Sequence, residues 1–309
     1  MNIFKVAFAL CFAFMCQQSL FADTVIKLRG DNLRYDPIFF DASDYTFMFG
    51  KNDLGESYKI SGALSDAHFV PILNVKGDLL DGAAKIYEFK ADSMSNKIMV
   101  IVNAANYAEV SLIRPDGSLV NSSQCFKLSS AVLCEFEKPQ IGKWRIKLKG
   151  EGLCVVYVGG ISPLSFIDFG FVELGGRAGH TGFFKIKGAP IAGKTYAVQA
   201  VLSNVMPDIR VEFYSKERKI LSSFNMENVD NRLDRMVFFR SNVMVPSEEF
   251  FVHAFGKDKN GVEFERIYPH RVFPSAFSIV ADARLDLPLG SDTVYTLKVI
   301  NRGKEESGF

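Results

Sequence analysis

The chain has 309 residues, of which 36 are basic and 35 acidic, so its formal net charge is only +1. This balance gives no electrostatic argument for binding to nucleic acid or to an anionic membrane surface. Phenylalanine occurs 29 times and accompanies short runs of Val, Ile, Tyr and Thr, a composition that favours strands over helices. The length predicts two domains and part of a third.

Residues 1–22 have the features of a secretory signal peptide. Lys5 supplies a positive start, residues 6–15 are apolar, and Ala22 can be the last residue removed. The apolar run is about half as long as a membrane-spanning helix, and no later uncharged run is long enough to span a bilayer. We therefore expect a secreted, extracellular protein whose mature chain has 35 basic residues, 35 acidic residues and three cysteines.

The region 23–91 is poorly defined and reads as strands and loops. Short apolar pieces alternate there with Asp- and Gly-rich turns, and no stretch keeps a 3.6-residue apolar period for three turns. One helix is allowed at 79–89. Arg29, Gly30 and Asp31 form the tripeptide that integrins read in exposed loops of matrix proteins, and a polar turn is the alternative interpretation.

The region 92–174 predicts a β-sandwich of ordinary size. Its most informative part is a Pro-x-x-Gly turn at 139–142, which leads into a strand where apolar and basic residues alternate around Trp144. A second strand follows across residues 150–152, so we expect a hairpin there. The predicted strands are 98–102, 109–113, 131–136, 143–148, 153–158 and 165–172.

Three cysteines remain in the mature chain, and all of them lie in this region. Cys125 and Cys134 flank a short segment and can form a local staple, while Cys134 and Cys154 can equally pair as strand residues of one sheet. The sequence does not choose between the two pairings. The odd thiol could also join two chains, because an exported protein enters an oxidising compartment.

Two further residues of this region are candidates for surface roles. Asn121 opens the sequon Asn-Ser-Ser between a turn and Cys125, so we expect it to be exposed and glycosylated if the source is eukaryotic. Trp144 could stack on a sugar ring. A single Trp in an alternating strand is more often a core residue, so burial is the preferred interpretation.

The region 178–278 predicts a second sandwich with the strand number of an immunoglobulin-like domain. A Gly-rich break at 175–182 precedes it, and the Asn-Gly pair at Asn260 is its strongest hairpin signal. The region has neither cysteine nor tryptophan, so its core must consist of Phe and aliphatic side chains. Residues 281–309 predict a partial third β domain.

No pattern in the chain indicates catalysis or a bound cofactor. The four histidines are scattered without a paired spacing that zinc would require, and there is no nucleophile elbow or phosphate-binding Gly loop. We therefore predict that the protein is not an enzyme and has no cofactor and no metal site. These histidines are His68, His180, His253 and His270.

A set of dispersed segments lies between about residue 92 and the end of the chain, at 106–120, 136–144, 156–168, 190–196 and 245–258. These segments resemble the hemicentins. They also resemble, more broadly, the secreted von Willebrand factor A domain-containing proteins, protein 7 of that class among them. The resemblance implies a galactose-binding-like β-sandwich of jelly-roll type, followed by an immunoglobulin-like sandwich, with little helix.

The chain departs from this family in the A domain. The family's A domain binds a metal through an Asp-x-Ser-x-Ser loop, and the nearest match here is Asp41-Ala-Ser43-Asp-Tyr45, where Tyr45 replaces the second Ser. Too few residues precede residue 92 for a complete A domain. We therefore do not carry over metal-dependent adhesion, and an Asp-rich turn after a strand is the preferred interpretation.

Together these observations predict a non-enzymatic protein of the extracellular matrix or cell surface that acts through its β-sandwich modules. Its expected partners are extracellular proteins or glycans, with no nucleic acid and no membrane span. The alternatives are a carbohydrate-binding or enzyme-accessory module and a structural spacer or fragment of a longer protein.

Overall fold

The computed structural model of the protein describes residues 38–42, 45–49, 69–79, 83–128, 131–216, 218–230, 236–281 and 297–301. Within these ranges the regular structure is β-strand apart from one 3₁₀ turn, and the strands pair antiparallel in sandwich-like tandem units. The predicted fold class, mostly β with tandem β-sandwiches, is confirmed. Two further strand pairs form two-stranded sheets: β1 (Ile38–Ala42) with β2 (Tyr45–Phe49), and β17 (Phe277–Ala281) with β18 (Leu297–Asn301).

The first sandwich is built around one long strand, β8. It pairs with β5 along one side and with both β3 and β4 along the other, while β7 pairs with β5 and β6 forms the edge. The strands are β3 (Phe69–Leu79), β4 (Lys85–Ala91), β5 (Lys97–Ile113), β6 (Cys125–Lys127), β7 (Ala131–Glu137) and β8 (Gly142–Ile161).

The predicted hairpin at 150–152 is wrong, because β8 continues through this segment as one strand of 20 residues. The predicted strands 98–102 and 109–113 are likewise two halves of β5. The pairing register between β5 and β8 shifts twice near Gly150 and Gly152. Such shifts mark β-bulges, which allow a strand to bend. Both halves of β8 then contribute side chains to one core, from Trp144 in the first half to Val158 in the second. Glycine here allows a bend where a turn was predicted.

The segment 79–89, where a helix was allowed, contains the end of β3 and the start of β4. Tyr87, Phe89 and Ala91 are buried while the residues between them are more exposed. This two-residue period is that of a strand with one face on the core.

The second sandwich has the strand arrangement of immunoglobulin-like domains. One layer is β10-β9-β11-β14 and the other is β12-β15-β16, and β13 changes layer because it pairs with β12 at 220–226 and with β14 at 227–230. The strands are β9 (Phe166–Gly175), β10 (Gly182–Lys185), β11 (Thr195–Ser203), β12 (Ile209–Tyr214), β13 (Ile220–Asp230), β14 (Met236–Met244), β15 (Phe251–Lys257) and β16 (Glu263–Ile267).

Phenylalanine fills the core of the second sandwich, as the sequence predicted. Phe213 stacks on Phe250 with ring centroids 4.4 Å apart, and Phe169 and Phe171 contact each other edge to face. Edge-to-face and offset contacts add to the stabilisation that burial provides. The segment 165–172, which was assigned to the first sandwich, belongs here instead, because β9 pairs with β10 and β11. Its local pattern shows a strand but not the sheet that it joins.

Candidate interaction surfaces

Several predicted features lie outside the described residues. These are the signal peptide at 1–22, the tripeptide Arg29, Gly30 and Asp31, and Ser43 of the loop compared with the A domain. Asp41 of that loop lies in β1. All of these remain predictions from the sequence.

Cys125 and Cys134 form a disulfide between directly opposite positions of β6 and β7. Strand β5 lies between β7 and β8, and neighbouring strands are about 4.8 Å apart, so Cys134 and Cys154 are too distant to bond. Cys154 is fully buried, with its Sγ 3.4 Å from the hydroxyl of Tyr87. Self-association through an odd cysteine, which the sequence left possible, is therefore wrong for the folded chain, because this thiol does not reach the surface.

Asn121 is exposed and begins the 3₁₀ turn Ser122–Gln124 beside the edge strand β6. Its Oδ1 accepts a hydrogen bond from the backbone N–H of Ser123 at 3.0 Å. A cavity of about 170 Å³ opens next to this turn, with Leu112 and Val132 among its walls. The sequon is thus accessible from solvent, and glycosylation stays a prediction.

Trp144 is a core residue, so the sugar-stacking hypothesis for it is wrong. Its side chain is 2% exposed. The ring stacks on Phe89 with centroids 5.9 Å apart and contacts Phe136 at 5.0 Å. Its indole N–H donates a hydrogen bond of 2.8 Å to the carbonyl of Gln140, which satisfies the one polar group of the side chain.

A buried polar network lies on the outer face of β12, β15 and β16. His253 Nδ1 is 3.0 Å from Glu265 Oε1, and Arg218 reaches the same oxygen at 3.5 Å. The hydroxyl of Tyr214 donates to Glu212, and its ring lies 4.4 Å from that of His253. Burial lowers the pKa of His253, although contact with Glu265 acts in the opposite direction. Each carboxylate has a partner, so the network reads as structural. Of the other histidines, His180 and His270 are exposed and His68 lies outside the described residues.

The two sandwiches meet at a buried ion pair. Asp92, just after β4, lies with its Oδ2 2.7 Å from Nη2 of Arg266 on β16, and both side chains are fully buried. Arg266 also donates to the carbonyl of Leu164 at 3.0 Å and to the hydroxyl of Ser162 at 3.1 Å, both in the link between the sandwiches. Sequence reasoning missed this junction. The available signal in the sequence was Arg266 itself. It lies two residues after Phe264 in the strand, so the alternation places a charged side chain on the same inward face as Phe264.

A second set of contacts reinforces the junction. Asp258 accepts hydrogen bonds from both the backbone N–H and the hydroxyl of Ser93, at 3.0 and 2.5 Å. The amide of Asn260 donates to the same hydroxyl at 2.8 Å. Asp258 also accepts from the N–H groups of Asn260 and Val262, so the Asn-Gly hairpin predicted from the sequence is held in the shape that meets the first sandwich.

A row of basic side chains lies on the outer face of β8. Lys143, Arg145, Lys147 and Lys149 occupy successive outward positions, while the residues between them face the core. We call these four residues the basic row. In the described chain Lys143 pairs with Glu88 at 3.1 Å, whereas the other three make no ion pair with a described residue.

No helix long and apolar enough to span a bilayer is present among the described residues.

Comparisons with known proteins give a distant, partial relationship. No protein-family profile matches the chain. It is 24% identical over 259 residues to hemicentin-1 of Mus musculus, an alignment that covers 81% of this chain. The chain spans 4% of the length of that relative. The similarity supports a β-module protein of hemicentin-like type.

Solved structures resemble the chain only weakly. The propeptide form of the lipase BlEst2 of Bacillus licheniformis has a TM-score of 0.30 at 12% identity, covering 64% of this chain and 40% of that chain. The β-glucuronidase of Bifidobacterium dentium complexed with coumarin-3-O-glucuronide has a TM-score of 0.22 at 9% identity, covering 69% and 41%. Scores this low support no argument about function.

Proposed function

We propose that this chain is a non-enzymatic, secreted protein of the extracellular matrix or cell surface, and that it works by presenting the surfaces of two docked β-sandwiches to extracellular partners. The observation that supports this most directly is the junction between the sandwiches. A fully buried ion pair and a hydrogen-bonded hairpin fix the two units against each other. The similarity to hemicentin-1 over 81% of the chain points to the same class of protein.

The polar groups of the chain support a binding role over catalysis. The imidazole of His253 is 2% exposed and contacts Glu265 and Tyr214, so a substrate does not reach it. The thiol of Cys154 is buried, and burial raises its pKa, which disfavours the reactive thiolate. The alternative of a sugar-stacking module loses its main candidate, because Trp144 lies inside the core.

Export and matrix retention test the proposal. The full chain, tagged at its C-terminus, is expressed in secreting cells, and the medium, cell layer and matrix extract are probed for the tag. We expect mature protein beginning near Asp23 in the medium or matrix, and a variant without residues 1–22 retained inside the cell. An intact chain that stays intracellular, or one that is secreted but recovers no matrix or cell-surface partner after crosslinking, contradicts the proposal.

A further inference from the structure

We propose that the basic row on β8 is a binding surface for a linear sulfated polysaccharide. This inference rests on the proposed extracellular function, which supplies the compartment where such polymers occur. Lys143, Arg145, Lys147 and Lys149 are the four outward residues of this half of β8. Residues two apart on a strand are about 6.7 Å apart, so the row extends for roughly 20 Å. Four cations in a line match a polymer whose fixed negative charges also follow a line.

Protection of a sheet edge does not explain these lysines. Exposed edge strands often carry Lys to prevent pairing with other chains. Here β8 is an interior strand, with β4 on one side and β5 on the other. The outer face needs only polar side chains to remain soluble, and both signs of charge would serve. A single sign at all four positions is a feature that folding does not require.

The neighbouring strands neutralise the row only in part. Glu88 on β4 pairs with Lys143. Glu109 on β5 lies near the other end, where a hydrogen bond from Ser111 and then the charges of Lys147 and Lys149 lower its pKa. Five basic residues and four acidic ones share this face. The acids include Glu151, at the next outward position of β8 after Lys149, and Glu263 of the second sandwich, which pairs with Lys90. The surface therefore has a net positive charge in a chain whose overall charge is +1.

The pairing of β4 with β8 adds an unfavourable contact that supports a functional origin. Lys90 lies directly opposite Lys143, and like charges at opposed positions destabilise a sheet. Each of the two lysines has a separate carboxylate partner, Glu263 and Glu88. Elsewhere on this face acids do oppose the row, since Glu88 lies opposite Arg145 and Glu109 lies opposite Lys149. The opposed lysines are the exception to this pattern, and stability does not explain them.

Chemistry favours a sulfated polysaccharide over the other polyanions. Single-stranded nucleic acids are bound through stacking of bases on exposed aromatic rings. The aromatic side chains described on β4 and β8 beside the row are Tyr87, Phe89 and Trp144, and they face the core. The anionic lipids that attract basic segments lie mainly in the cytoplasmic leaflet, on the opposite side of the membrane from a secreted protein. Sulfate groups are charged at every physiological pH and suit both the guanidinium of Arg145 and the ammonium groups beside it.

Binding of the full mature chain to immobilised heparin tests the inference. We expect binding that weakens as salt rises, since ion pairs at a surface are screened. Arg145→Gln/Lys147→Gln should weaken it by about tenfold, because each exposed contact to a charged group contributes modestly. The matched control is Lys187→Gln/Lys259→Gln, which removes two exposed lysines from loops of the second sandwich and should leave binding unchanged.

Further probes separate the outcomes. Desulfated heparin should bind at least tenfold more weakly than heparin. Equal loss of heparin binding in both double variants would overturn the inference, and so would binding to phosphatidylserine vesicles or single-stranded DNA as strong as that to heparin. Unchanged thermal unfolding confirms that the variants fold, since the altered side chains are on the surface. A protein that is secreted and retained in matrix but does not bind heparin refutes this inference and leaves the proposed function standing. Failure of export refutes the proposed function, and with it the extracellular setting that this inference needs, even if the purified protein binds heparin.

Discussion

The buried ion pair of Asp92 and Arg266 allows a direct test of how far the two sandwiches depend on each other. Asp92→Asn keeps the size of the side chain and keeps Oδ1, which accepts a hydrogen bond from the N–H of Met94 at 2.9 Å. It removes the negative charge 2.7 Å from Arg266. Among the described residues no aligned hydrogen-bond donor reaches Oδ2, so the contact that the substitution abolishes is chiefly ionic.

The expected loss of stability follows from the burial of both groups. Two unit charges at 2.7 Å attract each other by about 6 kcal/mol at an effective dielectric constant of about 20. Desolvation of the two groups offsets much of this attraction, but removal of one partner leaves the other charge uncompensated, at a cost of roughly 3–5 kcal/mol. Hydrogen bonds from Arg266 to Leu164 and Ser162 remain. We therefore expect a loss near the lower limit, about 3 kcal/mol.

Urea unfolding followed by two signals measures this effect. Trp144 is the single tryptophan and lies in the first sandwich, so its fluorescence reports that unit, whereas far-ultraviolet circular dichroism reports both. In the unmodified protein the two transitions should coincide. In Asp92→Asn they should separate, with the midpoint of at least one lowered. A change below about 1 kcal/mol with coincident transitions would refute the reasoning, because a buried pair cannot lose one charge so cheaply.

Two further variants control for other causes. Lys90→Gln removes the exposed pair with Glu263 at the same junction, and an exposed pair contributes about 0–1 kcal/mol. The double variant Asp92→Leu/Arg266→Met replaces the ion pair by apolar groups and should regain much of the stability lost in Asp92→Asn.

Three other expectations concern the cysteines and His253. Cys125→Ala/Cys134→Ala should lower the free energy of unfolding by about 2.5 kcal/mol, the chain-entropy estimate for a loop of roughly ten residues; an unchanged urea midpoint would contradict it. Cys154 should resist iodoacetamide in the native protein, because burial raises the pKa of its thiol; rapid labelling seen by mass spectrometry would place it elsewhere. Burial lowers the pKa of His253 below its ordinary 6.5. As the pH falls, this imidazole is therefore protonated in the unfolded chain before it is protonated in the folded chain. Stability should thus be complete above pH 6.5 and fall as the pH drops through the lower folded pKa; a slope unchanged in His253→Gln would disprove this.

Local features of the fold could be predicted from the sequence, whereas features that join distant segments could not. The alternation around Trp144 gave the strand and its buried face correctly, and the Asn-Gly pair at Asn260 gave the hairpin. The segment 150–152 gave a wrong prediction of a hairpin, because glycine is compatible with a bend within a strand as well as with a turn. Pairing with the partner strand β5 determines that a bend forms here. The formation of a disulfide between Cys134 and Cys125, and not between Cys134 and Cys154, likewise depends on the order of the strands in the sheet.

The candidate surfaces show the same limit. The residues of the basic row were visible as an alternation of apolar and basic positions, but the meaning of that row depends on β8 being an interior strand. Asp92 and Arg266 are far apart in sequence, and neither has a local motif that predicts its partner. Long-range pairing decides both sites, and a single sequence contains no direct record of it.

The junction and the basic row are both adjacent to strand β4, and this links the two units of the chain. Lys90, near the end of β4, lies opposite Lys143 of the row. Asp92, just after β4, forms the junction with Arg266. Lys90 pairs with Glu263 of the second sandwich, so a carboxylate of one unit neutralises a cation at the margin of the other. If the sandwiches were flexibly linked, this neutralisation would come and go with their motion. The buried pair of Asp92 and Arg266 keeps Glu263 in place, and the charge that the first sandwich presents is therefore set by the docking of the second.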